Sequence, residues 1–200
     1  MKTRISRIIK MLCILPLISL FLTGCTSEIK PLSGLELSLA HKQKIPLKVG
    51  LYMSPDYCNY SFVTDQIYVT YYTIPLGSTL CHETKIIVEA IFEEVSVFPS
   101  LEANDKSINV IMIPEIVILK IQMMGYTHKS EALLIGKWTV VDMNGRLIWV
   151  DTFQSHVITT YGDHLPSTLK RAKFVLEDYF QNVFKGIQSW KLWESVAMTK

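Results

Sequence analysis

Apolar and polar positions change rhythm several times along the chain, and each rhythm predicts an element. Residues 11–22 are apolar save for Pro16 and Ser19. Residues 26–46 carry scattered charges with Pro31, Ser33, Gly34 and Pro46, and read as a tether. Within it Leu35, Leu37 and Leu39 alternate, which allows a short strand. Residues 47–53 (LKVGLYM) predict a strand stopped by the turn sequence Ser54-Pro55-Asp56. Residues 66–74 (QIYVTYYTI) predict another, ended by Pro75 and Gly77. Ser78 or Thr79 then caps a helix whose Leu80, Thr84, Ile87, Ile91 and Val95 recur at helical spacing. Glu83, Lys85, Glu89 and Glu93 fall on its opposite, solvated side.

The densest apolar run, residues 108–121 (INVIMIPEIVILKI), is rich in β-branched side chains and predicts a strand. Pro114 places an edge or a bulge within it, because proline has no N–H for a central ladder. Residues 131–141 and 146–157 flank Asn144-Gly145, the signature of a hairpin with a type I′ turn. Asp163 or Ser167 opens a second helix, with Pro166 tolerated in the first turn. Leu169, Ala172, Leu176, Tyr179 and Val183 form its stripe, and Gly186 is the expected left-handed cap. A last short helix places Ile187, Trp190, Trp193 and Ala197 on one side. The expected fold is α+β: a mixed, largely antiparallel sheet of about five strands with two amphipathic helices on one face. Three parts follow: a signal segment over residues 1–24, a tether over 25–46 and a single globular domain over 47–200.

Composition narrows the class. The chain has 200 residues, of which 49% are hydrophobic and 19% charged, which excludes a disordered or collagen-like chain and a multi-pass membrane protein. The formal charge of +2 is unevenly placed, since Lys2, Arg4, Arg7 and Lys10 precede the first acid. Without residues 1–24, 16 basic side chains face 18 acidic ones, so charge makes no case for nucleic acid as a partner.

Those four basic residues followed by twelve apolar ones form an export signal. As a helix the apolar run spans about 18 Å, short of the ~30 Å hydrocarbon core. It ends in Leu22-Thr23-Gly24-Cys25, which resembles the lipobox of bacterial lipoproteins. The resemblance implies cleavage before Cys25, diacylglycerol on its sulfur and a further acyl chain such as palmitate on its amine. Two chains hold a protein stably on a bilayer where one does so only marginally. Thr26 and Ser27 in place of an aspartate imply the outer membrane, on its periplasmic or surface face; a host with a single membrane would carry the protein on its cell membrane. The alternative is an ordinary secretory signal in which Cys25 is incidental.

After cleavage Cys58 and Cys81 remain. In an oxidising compartment they are candidates for a disulfide closing about two dozen residues, worth roughly 3 kcal/mol; the alternative is two separate buried thiols. The sequence has no phosphate loop, no H-E-x-x-H, no paired C-x-x-C and no G-x-S-x-G, so neither cofactor, metal nor catalytic residue is expected. Cys81 beside His82 is a weak nucleophile arrangement, because adjacent helical residues diverge by about 100°. His82 and Glu83 read as solvated surface, as do Lys170, Arg171 and Lys173. Trp190 and Trp193 are candidate anchors for a partner, and equally candidates for completing the core.

Taken together, the V-G-L-Y strand (residues 49–52), Pro75-Leu76-Gly77, the I-P-E-I segment (113–116) and W-T-V-x-D-x-N-G-x-L-I-W (138–149) resemble a known group. They are similar to small bacterial lipoproteins related to the auxiliary lipoproteins of ABC-type transport systems. More distantly they are similar to the domain shared by the curli secretion lipoprotein and the N-terminal domain of TolB. Tyr71-Tyr72-Thr73 stands where the auxiliary lipoproteins often carry an Arg-Trp pair. The resemblance implies a non-catalytic envelope protein, held to the membrane by its acyl chains, that binds partner proteins or lipid in transport or assembly. A structural surface lipoprotein, oligomeric through an exposed sheet edge, is the second reading, and an envelope hydrolase the third.

Overall fold

The computed structural model describes residues 29, 32–39, 44–64, 72–98, 100–101, 107–124, 129–159, 165–190 and 193. Its core is a five-stranded sheet in the order β4-β1-β5-β6-β7. The strands are β1 (Ile45–Tyr52), β4 (Phe92–Phe98), β5 (Val110–Met124), β6 (Lys129–Val141) and β7 (Leu147–Thr159). β1 pairs in parallel with β4 and β5, while the longer β5–β6 and β6–β7 ladders are antiparallel. The mixed α+β sheet expected from the sequence is present. A small antiparallel pair, β2 (Ser61–Val63) with β3 (Thr73–Pro75), stands apart from it.

Among the described residues the helices are α1 (Pro55–Cys58), α2 (Gly77–Ile91) and α3 (Leu165–Ser189). β6 shows why the sheet has one covered face. Ala132, Leu134, Gly136, Trp138 and Val140 are buried, and the alternate residues 133, 135, 137 and 139 are only half-buried. On the covered side the Trp138 indole N–H donates to Tyr179 Oη at 3.0 Å. Gly136 leaves room for that phenol, since a Cβ there would overlap the Tyr179 ring. Tyr57 Oη and Thr84 Oγ1 share a buried hydrogen bond of 2.7 Å between α1 and α2.

Several expected boundaries move. The first long helix stops at Ile91 and the chain turns straight into β4, so Val95 belongs to a strand beside Val49. Phe92 and the Val95-Ser96-Val97-Phe98 run favour a strand, and parallel pairing with β1 supplies the partner that local periodicity does not reveal. Neither Ser78 nor Thr79 caps α2: Leu76 is its N-cap and no side chain bonds there. Gly77 sits against the Cys58 carbonyl, where a Cβ would collide, and donates its N–H to Tyr60 O at 2.8 Å.

Pro114 lies within β5 opposite Trp138, beyond the Val110–Met112 stretch that β1 covers. The irregularity falls two residues later, between Ile116 and Ile118. The β6–β7 turn is one residue longer than the expected form. Asp142 N–H donates to Arg146 O at 2.9 Å, and Gly145 takes φ +77°. The Asp142 carboxylate accepts from the N–H groups of Asn144 and Arg146, which holds its pKa below the usual carboxylate value. Gly186 caps nothing, because α3 continues to Ser189; it is small because the Phe153 ring fills the space a Cβ would need. The expected strand over residues 66–74 and Asp163 lie mainly or wholly outside the described residues.

Candidate functional site

Cys25, the candidate for lipidation, lies outside the described residues. The segment that follows it does more than link. Residues 32–39 run without regular structure along α2 and α3, and Leu32, Leu35, Leu37 and Leu39 pack against the core. Thr79 Oγ1 donates to Leu32 O, which explains why it is not a helix cap. The Glu36 N–H donates to Glu177 Oε1 at 2.8 Å, and Lys173 Nζ lies 3.6 Å from Glu177 and 3.8 Å from Glu36. Ile29 is also buried in the core. This part of the expected tether is therefore docked, and the Leu35, Leu37, Leu39 alternation was its sequence signal.

Between this segment and α2 is an open groove of about 520 Å³, lined by Leu35, Leu37, Leu39, His82, Glu83 and Ile86 among others. Glu83 corrects the expectation of a solvated side chain: it is only 7% exposed, whereas His82 stands in solvent. Removal from water raises the Glu83 carboxyl pKa, and the neighbouring His82 offsets part of that rise. Chemically, the groove sets one carboxyl, the His82 imidazole and the hydroxyls of Ser33, Ser78 and Thr79 against an apolar wall, and Glu83 is the one carboxyl among its described lining residues. Nothing in the local pattern marks Glu83 as buried, because the side chains that cover it come from a segment some fifty residues away.

Cys58 ends α1 and Cys81 lies in α2; their Cα atoms are 5.5 Å apart and their sulfurs are bonded. With its sulfur so engaged, Cys81 offers no thiolate beside His82. Trp193 is 2% exposed, stacks edge-on against Phe92 at 4.9 Å and donates its indole N–H to Ile187 O at 2.7 Å. It is spent inside the fold instead of presented to a partner. Trp190 is half-buried between Trp149 at 5.4 Å and Trp193 at 4.4 Å. The basic group on α3 also separates. Arg171 is fully buried and donates from Nε to Thr159 Oγ1 at 3.1 Å, while Lys170 lies 5.5 Å from the Phe174 ring centre.

The opposite face of the sheet carries Ile118 paired with Ile135, the ion pair of Glu115 with Lys137 at 2.9 Å, and His156 against Glu131 at 2.6 Å. Among the described residues no group of three His, Cys, Asp or Glu side chains is placed to hold a metal ion. Also among them, no helix is long and apolar enough to cross a membrane.

No family model and no curated protein matches the chain. Solved structures with partial likeness include bacterial lipoproteins. The minor lipoprotein of Acinetobacter baumannii is 12% identical with a TM-score of 0.45, over 73% of this chain and 90% of that one. Lipoprotein GNA1162 of Neisseria meningitidis is 12% identical with a TM-score of 0.34, over 66% and 96%. The PelC dodecamer of Paraburkholderia phytofirmans is 13% identical with a TM-score of 0.43, over 70% and 89%. Likeness at this level leaves function to be argued from this chain's own residues.

Proposed function

We propose that this is a non-catalytic, lipid-anchored protein of the bacterial envelope that binds partner proteins or lipid in a transport or assembly system. One observation carries the reading: four basic residues, a twelve-residue apolar run and Leu22-Thr23-Gly24-Cys25 occur in register. A signal of this form delivers the chain to the export machinery, and a cysteine after small residues supplies the sulfur that takes the lipid. Thr26 and Ser27 favour the outer membrane as the destination. Support for a binding role comes from the sheet face opposite the helices, where Ile118 and Val150 remain exposed, and from the apolar groove beside Glu83.

Cys25→Ala tests the anchor. The variant is expected to lose incorporation of labelled palmitate and to accumulate as an uncleaved precursor; normal labelling and maturation of the variant would refute the assignment. For the binding role, cross-linking in whole cells followed by identification of the captured neighbours is expected to return envelope proteins of one transport or assembly system. Recovery of this chain alone would favour a self-assembling structural protein.

A further inference from the structure

Between Cys25 and the start of β1 at Ile45 the chain is long enough to carry the domain far from a bilayer. Twenty freely jointed residues have a root-mean-square span of about 25 Å and an extended limit of roughly 70 Å. The structure removes most of that freedom. Ile29 is in the core, Leu32 is bonded to Thr79, the Glu36 amide is bonded to Glu177, and Leu35, Leu37 and Leu39 lie on the domain. We propose that Ile29 and residues 32–39 form a strap that holds the domain against the headgroup layer of its own membrane, making that lipid surface its immediate partner. The inference rests on acylation of Cys25, as proposed above.

The geometry is simple. Four residue steps separate Cys25 from Ile29, and fully extended they reach about 14 Å. A domain docked on its strap therefore stays at the bilayer, whereas one released from it gains the whole length to β1. The contacts that hold the strap are of two kinds. Leucines and Ile29 remove apolar surface from water, and the Glu36, Lys173 and Glu177 group fixes the register along α3.

Hydrogen exchange and energy transfer on the full-length, acylated protein in phosphatidylethanolamine–phosphatidylglycerol vesicles test the proposal. A donor dye is placed on Lys185→Cys, an exposed position of α3, and an acceptor in the headgroup layer. In the otherwise native chain the Glu36 amide is expected to exchange about 100-fold more slowly than an unprotected one, and energy transfer to be high. Leu35→Asp with Leu37→Asp is expected to abolish that protection and lower the transfer. Glu177→Ala removes the acceptor of the Glu36 amide but leaves the leucines in place, so it should expose that amide to exchange while lowering the transfer less than the leucine variant does. An unprotected Glu36 amide in the native chain would overturn the strap. Protection combined with the same transfer in native and released chains would overturn the bilayer contact. A chain whose mass shows no acyl group would instead refute the anchoring reading, and this proposal with it, whatever the amide protection shows.

Discussion

Glu83 illustrates how one carboxyl changes meaning with its surroundings. On the polar side of an amphipathic helix it would titrate as an ordinary surface glutamate. Under residues 32–39 it is almost fully buried, which disfavours its charged form and raises its pKa above 4.5. The sign of the linkage follows. A carboxyl with a raised folded-state pKa contributes its stability below the unfolded-state value and loses it as pH rises through the folded-state value. Of its neighbours, the exposed His82 attracts the charged form and limits the effect. Glu83→Gln keeps the shape and cannot ionise. Thermal melts across pH are expected to show the variant gaining on the parent between mildly acidic and neutral conditions, with the two converging at low pH. A gap independent of pH would mean that Glu83 does not pay a burial cost.

At the scale of elements, the single-turn helix α1 is too short to be stable alone. Its position comes from its attachments: Ser54 Oγ accepts from the Tyr57 N–H, Tyr57 bonds to Thr84, and Cys58 is joined to Cys81. The crosslink spans 23 positions of sequence and constrains the unfolded chain accordingly. Replacing both cysteines with serine is expected to cost roughly 3 kcal/mol in denaturant unfolding. Reductant should lower the stability of the parent by a similar amount and leave the double variant unchanged. An equal response of both chains to reductant would show that the bond is absent from the folded protein.

For the whole molecule, the decisive boundary is the outer edge of β7, thirteen residues long and last in the sheet. An edge of that length is a template for pairing with another chain. Here two of its backbone groups are taken by side chains: the Thr152 N–H donates to Asp151 Oδ1 at 2.8 Å, and Gln154 O accepts from Asn182 Nδ2 at 3.1 Å. Asp151 also places a charge on the edge. These contacts oppose strand addition at the centre of β7 and weigh against assembly through that edge. Asp151→Ala with Asn182→Ala is expected to raise self-association severalfold in sedimentation experiments while leaving the monomer's melting temperature nearly unchanged. No change in association would show that other features guard the edge.

The first strand, the two long helices, the long apolar strand and the hairpin were legible in the sequence, because a helix and a strand impose their own periods on the residues they bury, whereas α1, β2 and β4 were not. The Asn144-Gly145 hairpin, the stripe of α3 and the strand ending near Tyr52 needed no information from elsewhere in the chain. The proposed export signal is equally local, a linear pattern of residues 2–25 that needs no folded partner to be read. Tertiary structure alone decided which polar side chains lost their water. Glu83 is covered by residues 32–39, Arg171 is buried within reach of Thr159, and Trp193 is claimed by Phe92 and the Ile187 carbonyl. It also turned residues 92–98 into a strand beside β1 and laid half of an expected tether onto the domain. Burial and strand pairing are properties of what packs against a residue, and those partners lie tens of residues away, beyond the reach of any local pattern.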